Sequence, residues 1–306
     1  MTSFLLAAIV FIFGAHHRMA VSNPESIQNL TKLVPHLPFY RITHVDSRDT
    51  SYLFGTLHLL ESSYVDTLPS VMAALHRADL VIGELALDSI VNNGGMSDAL
   101  SGLLDAPPLD SVLTKSEYHA VSEAVKKYSP APMMLLNHAE PIIIYAMIFE
   151  GMYAKAHPEN QTTGVPMDLF FQQEANKHGT PVMGLEQASD QEQALDSIPL
   201  KEQTEELVDL VLHPKITMRQ MDQMLADYSA GHISEILDDP SFGSYSPKEM
   251  ASLLYDRNRK WLDTLPPILD HHNAFIAVGA GHLAGKQGLV EQLRKRGYDV
   301  AWVSTK

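Results

Sequence analysis

The stretch from Ala274 to Val303 constrains the fold more than any other part of the chain. It starts with the apolar run AFIAV and turns through a glycine-rich segment. A predicted helix from Gly285 to Arg296 and a second short strand from Tyr298 to Val303 follow. A strand, a helix and a strand in this order predict a β-α-β unit, in which helices cover a sheet. We therefore expect an α/β protein built around a central sheet.

The rest of the chain continues this alternation of apolar runs and helix-forming segments. Further strands are predicted at 39–45, 51–57, 79–85 and 180–185, the first two as a hairpin. Further helices are predicted at 68–77, 114–128, 141–156, 167–178, 200–238 and 246–262, with capping boxes opening the second and the last. These elements predict an α/β (α+β) fold in which a central mixed sheet carries a large helical insertion. We expect one domain over 30–306 with a helical lobe at about 110–265.

The N-terminus contains the most apolar segment, from Phe4 to Ala15. A membrane-spanning helix needs about 20 apolar residues, so this length better suits the core of a signal peptide. We expect residues 1–20 to be a signal peptide or an N-terminal anchor, and the protein to be exported to the periplasm or secreted. Membrane association would use this segment. The alternative is a buried N-terminal helix.

Charge and composition exclude several function classes. The formal net charge of −15 repels phosphate backbones, so we expect no nucleic-acid partner. The chain has no cysteine, which excludes disulfides, thiolate metal sites and cysteine nucleophiles. Any bound metal must be held by His, Asp, Glu or water.

A Gly-x-x-His motif follows two of the predicted strands, at Gly55 to His58 and at Gly279 to His282. Glycine allows the backbone to turn or approach a neighbour closely, and the carboxyl ends of strands are where open α/β sheets bind ligands. Either histidine alone is more often structural, but the pair at matched strand ends indicates one shared site. The repeat also suggests a divergent internal duplication.

Glu84 ends the apolar run DLVIGEL, where a carboxylate is costly unless a metal ion or an arginine pairs with it. Two histidines and one carboxylate suit Mn, Fe, Co or Zn and leave room for an activated water. Arg257 is the candidate cation, able to bind a substrate carboxylate or stabilise an oxyanion. An ordinary ion pair at Glu84 and a surface charge at Arg257 are the alternatives.

Other signals are weaker. Glu186, Asp168 and Gln191 are expected to act as caps or solvated side chains more often than as ligands. The segment from Gly279 to Ala284 satisfies the G-x-G-x-x-A pattern of dinucleotide binding, but one strand alone follows it, so a nucleotide fold cannot be completed downstream. The chain contains neither a His-Glu-x-x-His motif nor a Gly-x-Ser-x-Gly elbow.

Three segments resemble the TraB/GumN/Tiki family: YLFGTLHLL, VIGELAL and VGAGHLAGKQGLVEQLRKRGYDV. The segment from Pro166 to Gln191 and the Arg257-Asn258 pair add to the resemblance. The family includes Tiki, a membrane-associated metalloprotease with paired Gly-x-x-His motifs. More distant relatives are the erythromycin esterases and the ChaN-like haem or iron binders.

This resemblance implies His58, Glu84 and His282 as metal or catalytic residues, with Arg257 as an auxiliary catalytic residue. It favours a metal-dependent hydrolase that cleaves a peptide or ester bond, with a divalent metal ion (Mn, Co or Zn) as cofactor and a peptide or small molecule as substrate. The alternative function is a non-catalytic binder of peptide, haem or iron with the same fold.

Overall fold

The computed structural model describes residues 36–44, 49–57, 60, 62–65, 67–86, 106–156, 165–233 and 246–306. The predicted N-terminal signal segment at 1–20 and His58 lie outside these ranges. Within the described ranges, no helix is both long enough and apolar enough to cross a membrane. Export and the division into domains stay predictions.

Six strands form one mixed sheet. They are β1 (Phe39–Thr43), β2 (Ser51–Thr56), β3 (Leu80–Gly83), β4 (Val182–Gly184), β5 (Ala274–Gly279) and β6 (Asp299–Trp302). Their order across the sheet is β4-β3-β5-β2-β1-β6. Strands β4, β3, β5 and β2 run parallel, whereas β1 is antiparallel to both β2 and β6. The predicted mixed sheet and the predicted β1-β2 hairpin are confirmed.

Helices make up most of the remaining described chain. They are α1 (Ser62–Val65), α2 (Pro69–Arg77), α3 (Leu109–Val112), α4 (Lys115–Tyr128), α5 (Met133–Leu136), α6 (Pro141–Ala156), α7 (Met167–Lys177), α8 (Ala188–Leu195), α9 (Leu200–Leu212), α10 (Pro214–Ala230), α11 (Pro247–Met250), α12 (Asp256–Leu269) and α13 (Leu289–Lys295). Both predicted capping boxes are present, Thr114 with Glu117 and Ser246 with Glu249. Each pairs a side-chain oxygen with an otherwise unbonded backbone N–H at a helix start.

Three predicted helices differ from the observed ones. The described part of the block at 200–238, up to residue 233, contains two helices separated before Pro214, because proline has no N–H for the helix ladder and suits a first helical position. Helix α13 starts at Leu289 and not at the predicted Gly285. Gly285 has a φ of 71°, a left-handed conformation that a right-handed helix excludes, and Gly288 before the helix is extended. The helix after Ser246 contains a π turn at Ala251–Tyr255 that joins α11 to α12.

The core lies between the sheet and the helices packed on it. Phe171 of α7 contacts Phe54 of β2 and Phe275 of β5, with ring centroids 5.4 and 5.0 Å apart. Helix α6 is buried along most of its length and packs against α4 and α9, as expected for a helix that is apolar on all sides. These contacts fix the parallel strands β2, β5 and β3 side by side, so their carboxyl ends meet at one edge of the sheet.

Candidate active site

The strands that carry the two Gly-x-x-His motifs are parallel neighbours. Gly55 of β2 pairs with Val278 of β5, and Thr56 pairs with Gly279, so both motifs leave the sheet at the same edge. A Cβ atom on Gly55 would lie 3.0 Å from the Cα of Ala280, closer than real Cβ atoms normally come. Glycine at position 55 therefore lets the first motif approach the second, as the sequence argument anticipated.

Two hydrogen bonds hold the end of β2. The Tyr228 hydroxyl donates to the carbonyl oxygen of Gly55 at 2.7 Å. The Thr56 hydroxyl donates to Oδ1 of Asp168 at 2.5 Å, and Asp168 is buried in the first turn of α7. Asp168 therefore anchors the strand that leads to the first motif, and His58 lies two residues beyond it, outside the described residues.

His282 lies in a short 3-10 turn directly after β5 and is fully buried. The side-chain amide of Asn258 donates to the carbonyl oxygens of His282 and Gln287, both at 3.0 Å. Its Oδ1 therefore accepts at 2.7 Å from Nδ1 of His282, which puts the proton on Nδ1. The lone pair is then on Nε2, which lies 3.8 Å from Oε1 of Glu84.

Glu84 follows β3, the neighbour of β5 on the other side. Its Oε1 accepts the backbone N–H of Gly279 at 2.8 Å. Its Oε2 accepts from the Arg257 guanidinium at 2.5 Å and from the Gln191 amide at 3.2 Å. The partner that the sequence argument required for this buried carboxylate is thus present as an arginine.

Glu186, two residues beyond β4, binds the same guanidinium through both of its oxygens. Arg257 Nε donates at 2.9 Å and the nearer Nη at 2.5 Å. The indole N–H of Trp261 donates to Glu186 at 3.1 Å, and the Gln191 amide donates at 2.9 Å. The other Nη of Arg257 donates to the Leu253 carbonyl at 2.9 Å, within the π turn.

The charges of this buried network do not balance. Glu84 and Glu186 face one guanidinium, which leaves one negative charge when both carboxyls are ionised. Burial raises the pKa of Glu186 against the lowering effect of Arg257. Burial alone would lower the pKa of Arg257, but the two carboxylates raise it, so the guanidinium stays charged. A network with this charge favours a proton on Glu186 or a bound cation.

One face of α12 supplies three of the site's side chains. Arg257, Asn258 and Trp261 are spaced so that they share a helix face, and all three are at least 98% buried. The Trp261 ring centroid lies 4.3 Å from the His282 ring centroid and 5.1 Å from the Arg257 guanidinium carbon. Trp261 therefore contacts both the imidazole and the guanidinium, and its packing restricts the movement of both.

The family-model comparison matches residues 38–301 to the TraB/PrgY/gumN family. The chain belongs to this family. Comparisons with curated proteins and with solved structures found no match. The TraB/PrgY/gumN match covers nearly the whole chain, including both Gly-x-x-His motifs and the helix that carries Arg257.

The structure brings together three of the four predicted site residues, Glu84, Arg257 and His282. Sequence reasoning placed Glu186, Gln191 and Asp168 among caps and solvated side chains. Glu186 and Gln191 are instead buried in the network, and Asp168 is buried against Thr56 at the end of β2. Trp261 was missed. The i, i+4 series Arg257, Trp261, Leu265 and Leu269 would have indicated it, because it places Arg257 on the buried face of α12.

Proposed function

We propose that this TraB/PrgY/gumN protein is a metal-dependent hydrolase whose metal ion is held between Glu84 and His282, with His58 as the third ligand. The observation that carries the proposal is the orientation of His282. Asn258 holds its Nδ1, and Nε2 lies 3.8 Å from a carboxylate oxygen of Glu84. Metal-binding histidines are commonly oriented in this way, by a hydrogen bond to the ring nitrogen that does not bind the metal.

The donor set fits a borderline divalent cation such as Mn, Co or Zn. One imidazole and one carboxylate oxygen face each other across 3.8 Å, slightly wider than the roughly 3–3.5 Å between neighbouring ligands on one ion with bonds of about 2.0–2.2 Å. The unbalanced negative charge of the network also favours a cation there. A bound divalent metal would supply Lewis acidity and a water nucleophile for attack on a peptide or ester carbonyl.

The chain's own residues orient and polarise this site. Asn258 keeps the lone pair of His282 on Nε2, and the Gly279 N–H fixes Oε1 of Glu84. Arg257 holds Oε2 of Glu84 and both oxygens of Glu186. Because these contacts and the one to Leu253 engage the guanidinium, the role proposed for Arg257 is to position Glu84 and to tune its charge.

The test is a substrate screen on the purified protein with added Mn, Co or Zn, using peptides, esters and lactones. His282→Ala and Glu84→Gln should abolish turnover, because each removes a ligand. The matched control is His271→Ala, since His271 is exposed and precedes β5 at the opposite end of that strand. This control should retain wild-type turnover.

The outcomes separate the two candidate functions. Metal-dependent turnover that both ligand variants lose supports the hydrolase. Absence of turnover, together with capture of a peptide, haem or iron that depends on His282, would reject the hydrolase and support the binding protein. Turnover that survives in either ligand variant would place the chemistry elsewhere.

A further inference from the structure

A second group of metal-ligating side chains lies on the surface, at the opposite end of the parallel strands. His76 lies in the last turn of α2, and Glu174 and His178 lie at the end of α7. One potential ligand atom from each of the three lies within 4.8 Å of the other two. The two helices end just before β3 and β4, so this cluster borders the amino ends of strands whose carboxyl ends hold Glu84 and Glu186.

The distances within the cluster are close to those of ligands around one ion. His76 Nε2 and His178 Nδ1 each lie 3.5 Å from the same oxygen of Glu174, Oε1. The two imidazole centroids are 4.8 Å apart. Zinc binds histidine nitrogen and carboxylate oxygen at about 2.0–2.2 Å, so neighbouring donors on one ion are roughly 3–3.5 Å apart. His178 Nδ1 also donates to the backbone carbonyl oxygen of Glu174 at 2.9 Å, so metal binding would replace this hydrogen bond. Rotation of the three side chains would then bring one donor atom from each onto a common ion.

The positions of the donors on two packed helices also favour a cation. Helices α2 and α7 contact each other, which fixes the distance between His76 and the other two residues. Glu174 and His178 are four residues apart and share one face of α7. The carboxyl ends of both helices border the cluster, and helix carboxyl ends carry partial negative charge that attracts cations.

We propose that His76, Glu174 and His178 form a surface site for a borderline divalent metal ion such as zinc, which ties the end of α2 to the end of α7. Two imidazoles and one carboxylate select zinc, cobalt, nickel or copper over calcium and magnesium, which prefer oxygen ligands. His76 and His178 are about half exposed, so solvent completes the coordination. The site is separate from the one between Glu84 and His282, and the proposal does not depend on the hydrolase.

Lys177 gives the proposal a specific test. Its ammonium lies 3.1 Å from Oε2 of Glu174 and so competes with a metal ion for the same carboxylate. Lys177→Gln should therefore bind zinc more tightly than the wild type. A purely structural role for the three residues in packing α2 against α7 predicts no such gain.

The experiment is a calorimetric titration of the metal-free full-length chain with zinc alone. His76→Ala and His178→Ala should each bind one zinc ion fewer than the wild type, or bind that ion with about tenfold or more lower affinity. The matched control is His213→Ala, because His213 is also exposed and paired with a carboxylate four residues away, Asp209. This control should bind zinc like the wild type.

Thermal unfolding provides the second readout. Zinc should raise the Tm of the wild type more than that of His76→Ala, because binding to the folded state stabilises it. The proposal is overturned if His76→Ala and His178→Ala take up as much zinc, as tightly, as His213→Ala. It is also overturned if Lys177→Gln binds zinc no more tightly than the wild type.

Discussion

Replacing Arg257 by methionine tests the buried charge network most severely. Arg257 is 2% exposed and its guanidinium binds Glu84 and Glu186. Arg257→Met substitutes an apolar, unbranched side chain and leaves two buried carboxylates without their cation. Breaking a buried ion pair from one side costs about 3–5 kcal/mol of unfolding free energy. Arg257→Met should be destabilised by this amount at pH 7.

The ordinary pKa of a glutamate carboxyl gives a second value for the destabilisation of Arg257→Met. The variant can relieve the repulsion by protonating one glutamate, and holding a carboxyl of ordinary pKa near 4.3 protonated at pH 7 costs about 4 kcal/mol. At pH 5 the same protonation costs about 1 kcal/mol. A folded-state pKa raised above the unfolded value makes stability fall as pH rises, so the defect of Arg257→Met should be several-fold smaller at pH 5 than at pH 7.

The matched control is Arg259→Met, two residues along the same helix. Arg259 is 70% exposed and pairs with Asp256, and exposed pairs of this kind contribute about 0–1 kcal/mol. Urea unfolding of both variants at pH 5 and pH 7 gives the comparison. Adding Glu186→Gln to Arg257→Met should restore part of the stability at pH 7. Equal losses in the two arginine variants, or a loss that does not change with pH, would refute the reasoning.

Three further predictions concern other parts of the chain. Burial and neighbouring carboxylates raise the pKa of Glu206 to about 9, so wild-type stability should fall as pH rises from the unfolded value towards 9. At pH 8 the free energy of unfolding of Glu206→Gln, measured in urea, should then exceed that of the wild type by on the order of 3 kcal/mol. The same change at the exposed Glu205 should not raise it. Gly151→Ala should lose about 1–3 kcal/mol in the same assay, although alanine normally favours a helix, because its Cβ would lie 2.0 Å from the Tyr128 carbonyl oxygen. Asn258→Leu should weaken metal binding about 10- to 100-fold in a titration, because His282 loses its orienting bond, and an unchanged affinity would reject that role.

Sequence patterns predicted the elements that are specified locally. Both capping boxes, the β1-β2 hairpin and the strands that end near Glu84 and His282 could be predicted because residues close in sequence determine them. The break before Pro214 was equally local and could have been predicted from the missing proline N–H. The π turn was not predictable, since its sequence ASLLY is ordinary for a helix.

The sequence predicted the site residues at the ends of single strands, but not the contacts that other elements make with them. Glu84 and His282 are marked by polar residues that follow apolar runs, but the partner of Glu84 depends on which helix packs over the sheet edge. Trp261 binds Glu186 across 75 residues, and Gln191, which binds Glu186 locally, also binds Glu84 across 107 residues. A single sequence does not specify such contacts.

The most direct test of the account is a count of metal ions bound at the sheet edge. The background is the double variant His76→Ala/His178→Ala, which removes the surface cluster, and each preparation is stripped of metal, reloaded with Mn, Co or Zn and analysed by elemental mass spectrometry. The account predicts one metal ion per chain in this double variant. That ion should be lost when His58→Ala, Glu84→Gln or His282→Ala is added to the double variant. Retention of the full equivalent in the His282→Ala protein would contradict the claim that the two motifs share one metal site.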